Sequence, residues 1–204
     1  MNIKLILQSK RGDIYEVKDI SKDYQTKFGK VTKEQLQNAK DGDVIFSDHH
    51  EELTAYSPTF IDQYKNIKRL AQIPLLKDIG YIIAELGLGR DSVVVEGGSG
   101  SGGICCFLAN IVKKIYSFDI EDEHIKVVKK NIENLNIKNV ELKKQSLYEP
   151  IDIKNADAFI LDVPEPWKAI ETAAKALKIS GFMISYSPNL IQVSEFVNTL
   201  DQDK

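Results

Sequence analysis

The sequence is short of several things, and each shortage narrows what the chain can be. It has two cysteines, and they are neighbours, Cys105-Cys106. Adjacent thiols can neither close a disulfide framework nor supply the spaced ligands of a zinc site. Nothing approaches the ~20 consecutive apolar residues of a membrane helix. The start, Met1-Asn2-Ile3-Lys4-Leu5-Ile6, lacks the apolar core and small-residue cleavage site of a secretion signal. The expectation is a cytoplasmic protein with no membrane partner. Excess positive charge is also missing: the formal charge is −3. Any nucleic-acid contact must therefore be local, or assembled from several subunits. Arginine is scarce, Arg11, Arg69 and Arg90 being the full set, and there are no internal repeats.

What is present is ordinary material for a packed fold. The 204 residues are 43% hydrophobic and 28% charged, enough for one well-cored domain plus a small appendage. Two styles of sequence meet near residues 57–79. Before that, short β-type runs (Ile3–Leu7, Ile14–Val17, Val44–Ser47, Leu53–Tyr56) alternate with turn residues such as Arg11-Gly12-Asp13 and Asp41-Gly42-Asp43. One short helix is expected at Lys33–Ala39. Residues 1–56 thus read as a small β-rich N-terminal domain. Ser57-Pro58 then opens a helix, with Phe60, Ile61, Tyr64, Ile67 and Ala71 at helical spacing and Pro74 as its stop. Asp78 reads as the cap of a second helix that ends at Gly87 and Gly89.

From there strands and helices alternate. The strands are Ser92–Glu96, Ile115–Asp119, Val140–Lys143, Ala158–Asp162 and Phe182–Tyr186. The helices between them are Gly103–Val112, Glu121–Leu135 and Trp167–Leu177, with a last one from about Asn189 to Leu200. Such alternation implies right-handed crossovers and a doubly wound, mostly parallel sheet over residues 57–204, an α/β Rossmann-like fold.

Two motifs carry chemistry. The first is Glu96-Gly97-Gly98-Ser99-Gly100-Ser101-Gly102, directly after a strand. Glycines let the backbone bend sharply there and approach a ligand closely; the plain alternative is a tight strand-to-helix turn. Asp119 ends the next strand, 21 residues after Gly98, where a carboxylate meets ribose hydroxyls. The spacing is not G-x-G-x-x-G, and acidic Glu96 beside the loop opposes a pyrophosphate. It suits the ammonium and sulfonium cations of S-adenosylmethionine. The second motif is Leu161-Asp162-Val163-Pro164-Glu165-Pro166-Trp167, at the carboxyl end of the fourth strand, where open α/β sheets bind ligands. Its two prolines restrain the segment behind Asp162, which can accept a hydrogen bond or a proton.

Taken in order, Ile67–Gln72, Lys77–Ile82, the Glu96–Gly103 loop and Asp162–Trp167 resemble the tRNA adenine-58 N1-methyltransferase family of class I S-adenosylmethionine-dependent enzymes, in its archaeal and bacterial homo-oligomeric form. The resemblance implies that Gln72, Glu96 and the loop Gly98, Ser99, Gly100, Ser101 and Gly102 contact S-adenosylmethionine. It implies that Asp119 holds the ribose, with His124 over the same cofactor and Gln145 and Ser146 near its adenine. Asp162 is then the catalytic carboxylate facing the target base, and also touches the cofactor. The implied partner is tRNA and the implied assembly a homotetramer, with no metal. Two departures stand out: the family's Tyr-Pro-Lys-Asp is Leu75-Leu76-Lys77-Asp78 here, and a C-terminal hairpin of the family sheet is not expected. Two other readings remain: a methyltransferase of small molecules such as a corrinoid precursor, or a non-catalytic tRNA-binding subunit. His49 and His50, beside Asp48, Glu51 and Glu52, read as a solvated turn. Cys105 and Cys106 read as small core residues.

Overall fold

The computed structural model describes residues 2–202; Met1 and residues 203–204 lie outside the described residues. It divides into two compact units, Met1–Ile67 and Lys68–Lys204. The division falls after the helix Phe60–Lys65, because that helix is tied into the first unit. The Gln63 side chain accepts from Ile3 N (3.0 Å) and donates to Ile3 O (2.7 Å).

In the first unit, β1 (Leu5–Ser9), β2 (Ile14–Val17), β5 (Val44–Phe46) and β6 (Glu52–Tyr56) form an antiparallel sheet in the order β2-β1-β6-β5. β3 (Tyr24–Thr26) and β4 (Gly29–Val31) make a separate hairpin, which the strands expected from the sequence do not include. α1 (Lys33–Asn38) is fixed by a capping box between Thr32 and Gln35. Alternate side chains, Leu5, Leu7 and Val17 with Leu53 and Ala55, close the core. α2 (Phe60–Lys65) completes the unit, and it starts from Thr59, whose backbone N–H and hydroxyl both donate to Asp62.

The second unit begins with an irregular stretch and then α3 (Leu76–Glu85). Next come β7 (Val93–Gly97), α4 (Gly103–Leu108), β8 (Lys114–Asp119), α5 (Asp122–Asn134), β9 (Val140–Lys144) and β10 (Ala156–Leu161). A 3₁₀ turn at Pro166–Ala169 leads into α6 (Ile170–Ala176), then β11 (Leu177–Ser185) and α7 (Leu190–Gln202). All strand pairs are parallel, in the order β11-β10-β7-β8-β9. β7 is central, between β10 and β8, and its Val94 and Val95 are buried with no accessible surface. The chain winds outward from β7 through β8 to β9, then crosses back to β10 and β11. The reversal opens a crevice between β7 and β10, the place where open sheets of this kind bind ligands. Register brings Gly97 level with both Phe118 and Leu161. The residues that follow, Gly98, Asp119 and Asp162, therefore leave the sheet at one edge.

Five boundaries differ from the sequence reading, the first being that the helix expected to open at Ser57-Pro58 starts only at Phe60, from the Thr59 cap. The helix expected to run on to Ala71 stops at Lys65, since side chains of the second unit take the backbone groups of residues 68–71, as described below. Asp78 lies in the first turn of α3, and Leu75 occupies the cap position. α4 stops at Leu108, short of Val112, where the Asn139 amide donates to the carbonyls of Ala109 (2.9 Å) and Val112 (2.8 Å). β11 starts five residues before Phe182, with Ser180 at φ 67° and a register shift opposite Ala156–Ala158.

Candidate active site

The carboxyl ends of β7, β8 and β10 surround a cavity of about 550 Å³, a volume suited to a nucleoside-sized ligand. Its floor is the glycine loop. Gly98 has φ 84° and Gly100 φ 53°, backbone that L side chains rarely adopt. A Cβ at Gly98 would overlap the carbonyl oxygen of Asp162. The loop is held in place by Gly98 N and Ser99 N, which donate to Phe118 O at 2.9 and 3.1 Å. Gly100 N donates to Asp119 Oδ2 at 2.8 Å.

Glu96 is 1% exposed. Its carboxylate accepts from Cys105 N (3.1 Å) and from the Ser117 hydroxyl, which also meets the Ser99 hydroxyl (2.6 Å). Among the described residues no cation pairs with it. Burial pushes its pKa up to about 7, against the opposing pull of the Ser117 and Cys105 hydrogen bonds. Asp162, at the other side of the crevice, is raised to about 6 by burial. Its own N–H donates to Gly97 O at 2.9 Å, so the two strand ends are stitched together.

Asp119 is a corner post. It takes Gly100 N on Oδ2 and Glu121 N on Oδ1, and His124 Nδ1 lies 3.1 Å from both oxygens. Gln72, Glu96, Gly98, Ser99 and Gly100 line the cavity from the loop side. Asp119, His124, Gln145, Ser146 and Asp162 line it from the strand ends. Ser101 and Gly102 do not. The Ser101 hydroxyl turns away to donate to Ala71 O (2.6 Å) and accept from Leu70 N and Ala71 N (both 2.9 Å). Gly102 faces Cys106 and Val128 in the interior. Ser146 is also partly committed, its hydroxyl accepting from Tyr148 N (3.1 Å). The Gln145 amide donates to Pro150 O (3.0 Å), closing the same loop.

Several lining residues escaped the sequence reading. Tyr148 accepts from Glu165 N (3.2 Å) and so joins the loop after β9 to the loop after β10. Tyr186 directly follows β11, and its hydroxyl donates to Asp78 Oδ2 (3.3 Å). Tyr186 could have been found from its place at a strand's carboxyl end. Leu147 and Val163 add apolar wall. Asn131, buried on the apolar stripe of α5, gave no signal at all. Its side chain accepts from Lys68 N (2.8 Å) and donates to Lys68 O and Ser101 O (both 2.9 Å). His49 stays on an exposed turn, and no cluster of His, Cys, Asp and Glu suited to a metal occurs among the described residues. No described helix is long and apolar enough to cross a membrane.

The family model described as "tRNA methyltransferase complex GCD14 subunit" matches residues 63–204. A tRNA (adenine(57)-N(1)/adenine(58)-N(1))-methyltransferase of Methanocaldococcus jannaschii is 31% identical over 97% of this chain and 80% of its own length. The chain belongs to this tRNA methyltransferase family. A tRNA (adenine(58)-N(1))-methyltransferase of Thermus thermophilus is 34% identical over 85% of the chain and 70% of its own length. Among solved structures, a SAM-dependent O-methyltransferase of Thermotoga maritima superimposes with a TM-score of 0.87 at 26% identity, over 98% of this chain and 77% of that one.

Family and fold make S-adenosylmethionine the cofactor of this tRNA methyltransferase, and the residues present fit it. The floor is backbone that side chains would fill, and the walls at Phe118, Leu147 and Val163 are apolar. The buried carboxylates Glu96 and Asp162 have no cation of the described residues beside them, which suits a ligand that brings positive charge. Asp119 offers acceptor oxygens for a diol.

Proposed function

We infer that this protein methylates N1 of adenine 58 in the T-loop of tRNA, with Asp162 as the catalytic carboxylate. The observation that carries this reading is the position of Asp162. It is half-buried at the switch point, faces the same cavity as the glycine loop, and is fixed by Gly97 O and the Val163-Pro164 turn. The bound cofactor supplies an activated methyl group on a sulfonium. N1 of adenine is already nucleophilic, so the protein's task is placement and charge stabilisation. Asp162 accepts a hydrogen bond from the exocyclic amine and steadies the positive charge that the ring acquires as the new N–C bond forms. The base reaches the cavity only by leaving its stack, at a cost of a few kcal/mol. Tyr186, oriented by Asp78, and Tyr148 give the cavity aromatic faces suited to an unstacked base.

In this reading Gln72, Glu96, Gly98, Ser99 and Gly100 bind the cofactor. Asp119 and His124 meet its ribose, and Gln145 and Ser146 its adenine. Ser101 and Gly102 act by holding the loop in shape. The retained loop and Asp162 favour an enzyme over a non-catalytic subunit. The homotetramer implied by the resemblance draws support from the apolar exposure of Ile179 (97%), Leu190 (80%) and Ile191 (76%) on β11 and α7. Sedimentation of the purified protein tests that assembly. The expected setting is the cytoplasm.

The experiment is methyl transfer from labelled cofactor to unmodified tRNA transcripts, followed by mapping of the modified atom. Label on N1 of adenine 58 is expected. Label on an oxygen, or no label despite cofactor binding, overturns the reading.

A further inference from the structure

The cavity presents a problem for an RNA substrate. Glu96, Asp119, Glu121 and Asp162 all line it, so its field attracts a cationic ligand and repels a phosphate backbone. The whole chain cannot compensate, since its net charge is −3. Positive charge at the rim would offset that repulsion locally. On the side of the loops after β8 to β10, the lysines are spoken for: Lys144 pairs with Asp122 (2.7 Å) and Lys168 with Glu165 (2.7 Å).

The opposite rim differs. Residues 68–72 run into the cavity wall at Ala71, Gln72 and Pro74. Lys68 and Arg69 are exposed, and neither side chain has an ion pair among the described residues. Lys77, exposed in the first turn of α3 beside Asp78, is likewise unpaired among them. The stretch has no regular secondary structure, and exposed irregular backbone is normally mobile. Here it is splinted from beneath. Asn131 bonds both backbone groups of Lys68, and the Ser101 hydroxyl bonds Leu70 N, Ala71 N and Ala71 O. The Ser101 hydroxyl thus spends its full hydrogen-bonding capacity on an exposed strip, and buried Asn131 gives it two of its three bonds. The strip's own side chains play no part in those bonds and point their charge outward, free to act.

We propose that Lys68 and Arg69, with Lys77, form a phosphate-binding rim that grips the RNA strand flanking the target base. The proposal rests on the tRNA reading above. Arg69 offers a planar donor fork that can take two phosphate oxygens at once, and Lys68 and Lys77 act as point charges. Their role is positioning: they neutralise the backbone that the carboxylate-lined cavity repels, and so hold the flipped base over Asp162.

The test compares the full-length protein with Lys68→Gln/Arg69→Gln and with Arg69→Lys, using an unmodified tRNA transcript across a salt series. The double variant is expected to raise the KM for tRNA about tenfold or more near 0.1 M salt. It should lower the slope of log Kd against log salt by about one to two, since each phosphate contact contributes roughly one. Cofactor affinity by calorimetry should stay within about twofold, and Arg69→Lys should recover most of the salt slope. An unchanged slope in the double variant, with the wild type methylating tRNA normally, overturns the rim and leaves the activity intact. A wild type that methylates no tRNA overturns the functional reading instead. Equal losses of cofactor and tRNA affinity would show a collapsed strip, and would also overturn the rim.

Discussion

The carbonyl oxygen of Asp162 occupies the space that any side chain at Gly98 would need, and the Asp162 N–H is bonded to Gly97 O at 2.9 Å. The loop that floors the site and the backbone of the residue proposed as catalytic thus lie against each other, at the ends of two hydrogen-bonded strands.

Gly98→Ala tests that contact. The obstacle is backbone, which cannot swing aside, and the φ of 84° is itself strained for alanine. The variant should lose on the order of 2–4 kcal/mol of stability and nearly all cofactor binding. Calorimetry and thermal melts read both. A variant that binds cofactor normally would show that the strand ends can part.

Asp162→Asn keeps the shape and removes the charge. We expect kcat to fall about 100- to 1,000-fold, with cofactor affinity within roughly threefold. Burial raises the Asp162 pKa of the ligand-free protein to about 6, so wild-type kcat/KM should rise with pH through that value as the active ionised form appears. The rise should be missing in Asp162→Asn. An identical limb in both would assign it to another group.

Glu96 bears on stability. Its folded pKa of about 7 lies above the ordinary value of 4.5, so the native state holds the proton more tightly than the unfolded chain. Stability of the cofactor-free protein should therefore fall as pH rises from about 4.5 to about 7, by on the order of 3 kcal/mol. Asp162 adds a fall of its own at lower pH, from about 3.8 to about 6. Glu96→Gln should remove the larger part of the slope in melts between pH 5 and 8. A slope that persists in full would place the titration elsewhere.

Asn131→Ala leaves Lys68 N, Lys68 O and Ser101 O without their partner. Unsatisfied groups of this kind cost roughly 1–3 kcal/mol each where water cannot reach them. We expect a loss of about 3 kcal/mol, and faster amide exchange confined first to residues 68–71. Uniform exchange across α5 would instead point to loss of the helix.

The sequence carried the parts of the fold that are written locally. Alternating apolar runs located β7 to β10, the glycines marked the turn after β7, and Asp162 stood out through its flanking prolines. What stayed hidden depends on partners distant in the chain. Asn131 lies 63 residues from Lys68, and on a helical stripe it looks like an interruption of the apolar face. That one amide helps explain why the helix read on to Ala71 ends at Lys65. Ser101 sits inside a ligand-binding motif, yet its hydroxyl serves Leu70 and Ala71, because a loop's spacing does not say which way each side chain turns. Tyr148 joins two loops through a bond to Glu165 N that no periodicity records. Asp78 resembled a cap and instead holds Tyr186, 108 residues away.

If RNA lies on the strip as proposed, the double service of Ser101 links the two substrates. One residue of the glycine loop is bonded to Leu70 and Ala71 through its hydroxyl and to Asn131 through its carbonyl. Loop and strip therefore share one set of fastenings. Whatever ordering the cofactor imposes on the loop is ordering that RNA no longer has to supply at the strip. Linkage then requires reciprocity: if cofactor tightens tRNA binding by some factor, tRNA tightens cofactor binding by the same factor. On the proposed rim, occupancy of one substrate would become part of the other's affinity, with no moving domain needed to carry the message.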